Sequence, residues 1–197
     1  MLDARAMDQL AGGEDPTLRA ELAHRTAATI VRRGRASDDP DVVQRLVALV
    51  EDEGLETVAG MWADSPATSL PGALWRLYAL RTWVRRDPRT AAERYRVGTG
   101  RAEVHDVVAG VVSPPGPEEM CAVVDEVLSG VYTADLAVAL ERAAAFCRVL
   151  AVGSALDADH EADADRAGTI TRGAAGLIRT AEELETAAGL WRADALE

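Results

Sequence analysis

SLPGALWRLYALRTWVRR, from Ser69 to Arg86, decides the fold. Ser69 is a favourable N-cap, and Pro71 is tolerated in the first turn of a helix. At about 100° per residue, Leu70, Ala73, Leu74, Leu77, Leu80 and Val84 share one broad face. Trp75, Ala79 and Trp83 fall away from it. A helix apolar on nearly every side is usually buried, so this stretch predicts the central helix of an all-α domain. Arg81 lies between Leu70 and Leu74 on the wheel, inside the apolar stripe. A charge there must be met by a carboxylate or by several carbonyls, so Arg81 is expected to be a buried, paired structural charge.

Toward the N-terminus, residues 1–14 have no periodic pattern and are expected to form a flexible tail. Asp15-Pro16 then opens a helix whose inner stripe is Leu18, Leu22, Thr26 and Ile30. It ends at about Arg33, before Gly34, and Arg32 and Arg33 suit its C-terminal dipole. Asp39-Pro40 opens a second helix, with Val42, Val43, Leu46, Val47, Leu49 and Val50 as its stripe. Gly54-Leu55 has the form of a glycine C-cap with its hydrophobic contact. A short helix, Leu55 to Ala63, follows.

On the C-terminal side, Asp87-Pro88 starts another short helix, ending at Gly98. Val104, Val107, Val108, Val111 and Val112 keep helical spacing despite their β-branched type. The break SPPGP (113–117) precedes a helix carrying Met120, Val123, Val124, Val127 and Leu128, which Gly130 stops. Thr133 is the expected cap of a long helix to about Val152, with Tyr132 as its staple residue. Residues 154–167 are rich in acids and are expected to form a solvated loop. The last helix, about 168–192, repeats Ile170, Ala174, Leu177, Ala181, Leu184, Ala188 and Trp191 at 4-3 spacing. Leu136, Leu140, Ala143, Cys147 and Leu150 repeat likewise. Alternating small residues let helices approach closely, so the two are expected to pack as an antiparallel pair. A homodimer through the last helix is the alternative.

The expected architecture is therefore a single all-α domain of about seven to nine helices. Residues 15–153 form its core, and residues 168–197 form an amphipathic helix packed antiparallel on its edge. Composition agrees. Of the 197 residues 48% are apolar, with a single Phe, enough for a core without disulfides or metal. The chain has no lysine and no asparagine, so all 21 basic residues are arginine. That excludes Schiff-base, P-loop and general-base lysine chemistry. A net charge of −12 disfavours nucleic acid and anionic membrane as partners of the whole molecule. No run approaches the ~18 apolar residues of a membrane span, and MLDARAMDQLAGG does not have the form of a secretory signal. Two cysteines on apolar helix faces, Cys121 and Cys147, fit reduced thiols and a cytoplasmic location.

SLPGALWRLYALRTWVRRDP (69–88) together with SGVYTADLAVALERAAAFCRV (129–149) resembles an uncharacterised family of small all-helical actinobacterial proteins. The resemblance runs from about Asp15 to Gly153. Some members carry an RNA polymerase subunit label, so it implies an all-helical fold with at most a transcription-linked role. It implies no polymerase chemistry, because no dense Asp cluster flanked by Asn and Gly is present to hold Mg²⁺.

Candidate sites are few. Val42 to Ala63 has the outline of a helix–turn–helix, but Leu55 to Ala63 lacks the Arg, Lys, Asn or Gln that reads bases. Gly98-x-Gly100 follows a helix rather than a strand and lacks a third glycine, so a helix cap and turn is expected in place of a dinucleotide loop. His24, His105 and His160 are far apart, with no metal-ligand spacing, and His105-Asp106 lies on a polar face. From Asp157, the acidic run lacks the glycine and glutamate of an EF-hand. No metal or other cofactor is expected. The strongest signal is basic: between Arg76 and Arg101, eight arginines face two acids, a local charge of +6. Arg85, Arg86, Arg89, Arg94 and Arg96, with Trp83 and Tyr95 beside them, are the expected surface for an acidic protein partner. The expected role is that of a non-catalytic interaction or regulatory protein. Its alternatives are a small-molecule enzyme with Arg anion clamps, and a transcription- or nucleic-acid-associated protein.

Overall fold

A computed structural model describes residues 16–33, 54–101, 115–130 and 132–197. The 1–14 tail, the second helix after Asp39-Pro40, and the valine-rich helix with His105-Asp106 lie outside these residues. Seven α-helices and no strand occur among the described residues. They are α1 (Pro16–Arg33), α2 (54–62), α3 (Leu70–Arg86), α4 (Pro88–Thr99), α5 (Pro117–Leu128), α6 (Leu136–His160) and α7 (Ala164–Arg192).

The central helix forms where its end signals place it. Ser69 Oγ accepts from Gly72 N–H at 3.3 Å and donates to Pro66 C=O at 2.8 Å. Asp87 closes α3 and caps α4, accepting from Thr90 N–H at 3.2 Å. Leu70, Ala73, Leu74, Leu77, Leu80 and Val84 are all buried, and α3 packs on α1, α4, α5, α6 and α7. Trp75, Ala79 and Trp83, the second apolar stripe, are only partly buried. The chain's last turn also meets α3: Leu196 is buried, and Leu70 N–H donates to Glu197 C=O at 2.6 Å.

The antiparallel pair, α6 and α7, makes the most extensive contact among the described helices. Leu136, Leu140, Ala143, Cys147 and Leu150 are buried on one side of it, and Ala181, Leu184, Ala187 and Ala188 on the other. Ion pairs Arg148–Glu185 and Arg192–Glu141 fix its register. Asp135, not Thr133, caps α6, because its carboxylate accepts from both Ala137 N–H and Trp191 Nε1–H. Thr133 is exposed.

The expected acidic loop, 154–167, shrinks to residues 161–163. Helix α6 continues to His160 because its inner positions stay small and apolar. Gly153, Ser154 and Ala158 are buried while Asp157 and Asp159 face outward. Asp163 then caps α7, accepting from Asp165 and Arg166 N–H. Acid content alone suggested a loop, but acids on one face of a helix are compatible with it.

Two further polar contacts anchor the periphery. Thr26 Oγ1 on α1 donates to backbone carbonyls of its own helix and accepts Trp62 Nε1–H at 3.0 Å, all in the core. This joins α1 to α2. The buried face of α1 is Ala23, Thr26, Ala27 and Ile30, whereas Leu18 and Leu22, expected on the inner stripe, are exposed. Gly54 and Gly130 have positive φ, +82° and +71°, the left-handed geometry that glycine adopts without strain.

The cap and turn expected of Gly98-x-Gly100 falls at Gly100, the C-cap of α4, just beyond the helix, and Gly98 has a different place. It lies inside α4 and is buried. A Cβ on it would stand 2.1 Å from the Val149 carbonyl oxygen. Across the same crossing, a Cβ on Gly153 would stand 1.9 Å from the Arg94 carbonyl oxygen. The two glycines let the backbones of α4 and α6 touch.

Candidate functional site

The arginines of α3 and α4 do not form one surface. On one side of α3, Arg81 and Arg85, one turn apart, take the two oxygens of Asp125 on α5. The Arg81 side chain is 17% exposed and that of Asp125 37%. Arg85 and Asp125 border a groove of about 690 Å³ between α3, α4 and α5.

Arg94 points the other way. Its Nε and Nη2 donate to Asp157 of α6 at 3.1 and 2.8 Å. Arg96 meets Glu93 on its own helix at 3.2 Å, with both side chains largely exposed. Arg76 donates to Glu183 at 2.6 Å and to Gly72 C=O at 2.9 Å. Arg86 and Arg89 are exposed at the corner where α3 meets α4, without an ion pair or hydrogen bond among the described residues. Between them, Asp87 is held below the usual carboxylate range by the Thr90 hydroxyl and N–H.

The aromatic residues divide as well. Tyr95 turns inward and stacks on Phe146, with ring centroids 5.7 Å apart. Trp83 lies on the opposite side of α3 from Arg85 and faces α7. There, Trp75, Ala79, Leu80 and Trp83 form one wall of an open groove of about 490 Å³. Gly173, Gly176 and Leu177 of α7 form the other, and Arg76, Arg94, Arg179 and Ser154 also border it. Helical periodicity alone marks Trp75, Ala79 and Trp83 as a second stripe. It does not show that the helix facing them carries glycine.

The thiols have no reactive setting. Burial pushes Cys147 up to about 12, and burial also raises partly buried Cys121 despite nearby Arg85. Both cysteines are free. His160 Nδ1 lies 2.6 Å from Leu156 C=O on the surface, and His24 is partly exposed on α1. No group of three His, Cys, Asp or Glu side chains converges among the described residues. No helix there is long and apolar enough to cross a membrane.

Among the described residues, the fold and these surfaces define a helical bundle with open grooves on two sides of α3 and a cationic corner. Comparison of the chain with family models, curated proteins and solved structures finds no match.

Proposed function

We propose that the chain is a non-catalytic interaction protein that docks an acidic protein partner at the α3–α4 corner. The observation that supports it is the distribution of pairing. Arg76, Arg81, Arg85, Arg94 and Arg96 each face a carboxylate of the same chain. Arg86 and Arg89 face none among the described residues. Arg86 suits the C-terminus of α3, but Arg89 stands in the first turn of α4, where the helix dipole disfavours a cation. A placement that does not help the fold is explained by an external anion. The corner also projects into solvent, where a partner's carboxylates can reach both guanidiniums. A nucleic-acid surface has less support, because Tyr95, the aromatic beside these arginines, is occupied by Phe146.

The test uses a fluorescent oligoglutamate peptide and the intact chain. Binding is expected to weaken with salt, as the Debye length falls from ~10 Å at 0.1 M to ~3 Å at 1 M. Arg86→Glu with Arg89→Glu is expected to abolish it and leave the melting curve unchanged, since exposed charges contribute only ~0–1 kcal/mol to folding. A double variant that unfolds, or that binds the peptide as before, ends the proposal.

A further inference from the structure

We infer that the groove between α3 and α7 is a binding site for a small organic monocarboxylate with a flat apolar body. Neither Arg86 nor Arg89 lines this groove, so the inference stands apart from the docking corner. Its volume, about 490 Å³, lies in the range that encloses small ligands, roughly 300–1,000 Å³.

The walls account for the flat apolar body. Trp75, Ala79 and Trp83 follow one another at single-turn spacing, and both indoles are only partly buried. Trp75 is held in place by stacking on Tyr78, at 5.7 Å between centroids and 28° between planes. Opposite them, Gly173 and Gly176 leave the floor open. A Cβ on Gly173 would meet nothing within 4 Å, and one on Gly176 only the end of the Arg179 side chain at 3.9 Å. Two partly buried indoles facing a wall of Gly173, Gly176 and Leu177 form a slot, which suits a planar ring system.

The rim accounts for the single negative charge. Of its three guanidiniums, Arg76 is neutralised by Glu183 and Arg94 by Asp157. Arg179 has no carboxylate partner among the described residues. One uncompensated cation remains, which fits a monoanion better than a polyphosphate. Guanidinium donors in a fork match the two oxygens of a carboxylate.

Ser154 supplies an independent indication. It is 1% exposed, it borders the groove, and its hydroxyl has no hydrogen-bond partner. A helical serine ordinarily satisfies itself on a carbonyl one turn back, and buried hydroxyls without a partner are uncommon. The register that pairs Arg148 with Glu185 and Arg192 with Glu141 also brings Ser154 level with Arg179. A carboxylate held by the Arg179 guanidinium would reach the serine O–H once the side chains that close over it shift, because the hydroxyl is enclosed.

The probe is 2-naphthoate, titrated into the intact chain by calorimetry, with 2-naphthamide as its neutral isostere. Naphthoate is expected to bind saturably below about 1 mM, and the amide roughly tenfold more weakly. Arg179→Met, on the exposed rim, should weaken naphthoate about tenfold and leave the amide unchanged. Ser154→Ala should weaken naphthoate by a similar factor. Gly173→Phe, whose Cβ meets nothing within 4 Å and whose ring would occupy the groove, should abolish binding of both. The inference is overturned if naphthoate does not bind, if acid and amide bind equally, or if Gly173→Phe binds as the wild type does. Loss of oligoglutamate binding in the Arg86/Arg89 variant, with naphthoate binding intact, would separate the two surfaces.

Discussion

Glycine does opposite work in two regions of this molecule. At the crossing of α4 and α6, Gly98 and Gly153 lie against carbonyl oxygens of the facing helix, and a Cβ on either would overlap them. Along α7, Gly173 and Gly176 face the tryptophans of α3, and a Cβ there would find open space. The first pair lets two backbones touch. The second keeps a helix from filling a groove. Composition cannot tell the two uses apart, because each is a glycine inside a helix, where it costs about 1 kcal/mol relative to alanine.

The sharpest way to break the comparison is Gly153→Val. The added atoms must displace the Arg94 backbone, and therefore α4, from α6. Overpacking of this kind costs typically 1–3 kcal/mol and more where backbone must move, so a loss of about 3 kcal/mol or more is expected. For a domain of this size each kcal/mol lowers Tm by roughly 2–4 °C. A Gly153→Val chain that melts with the wild type would show that the crossing is looser than drawn.

The seam of α6 and α7 is a third kind of contact, filled by alanine instead of glycine. Ala181 is fully buried, beside Leu184 and Ala188. Ala181→Leu is expected to cost about 1–3 kcal/mol, measured by denaturant unfolding. An unchanged midpoint would mean that the seam can open to admit the larger side chain.

These contrasts also mark what could be read from the sequence. The ends of α3 were legible because Ser69, Pro71 and Asp87-Pro88 are local signals whose geometry is set within a few residues. The seam of α7 was legible at Ala174, Ala181, Leu184 and Ala188 because 4-3 spacing survives any tertiary arrangement, while Ile170, Leu177 and Trp191 are only partly buried. Residues 154–160 were not, because Asp157 and Asp159 dominate the composition while Ser154 and Ala158 carry the inward face. The role of Gly98 was hidden because its partner, Val149, is distant in sequence. The division of the arginine cluster was hidden for the same reason. Arg81 and Arg85 meet Asp125, and Arg94 meets Asp157, only after α5 and α6 pack against α3 and α4. The groove was half visible: the wheel set Trp75, Ala79 and Trp83 apart, and only the packing of α7 leaves them half open.

Across α3, the closed side can be set against the open one through Arg81. Its guanidinium is mostly enclosed and shares Asp125 with Arg85. Breaking a fully buried pair costs about 3–5 kcal/mol. Here Asp125 is 37% exposed and keeps Arg85, so solvent and the second arginine reduce the loss. Arg81→Ala is expected to cost about 1–2 kcal/mol, between the exposed and buried limits. A melting curve within error of the wild type would show that Asp125 is served equally well by Arg85 alone.

The smallest effect is expected to have the opposite sign. Gly173 lies well inside α7, with an exposed backbone position and nothing near its missing Cβ. Alanine there relieves the entropic cost of glycine without displacing any neighbour, so Gly173→Ala should stabilise the chain by about 0.5–1 kcal/mol. At Gly98, the same substitution must destabilise it, because the methyl group meets the Val149 carbonyl. The pair of alanine variants therefore tests the comparison with a single atom type. Opposite signs in matched denaturant titrations support two roles for glycine. Destabilisation at both positions would mean that α3 closes on α7 in solution, and that the slot between Trp75, Trp83 and Gly173 is filled by the protein itself.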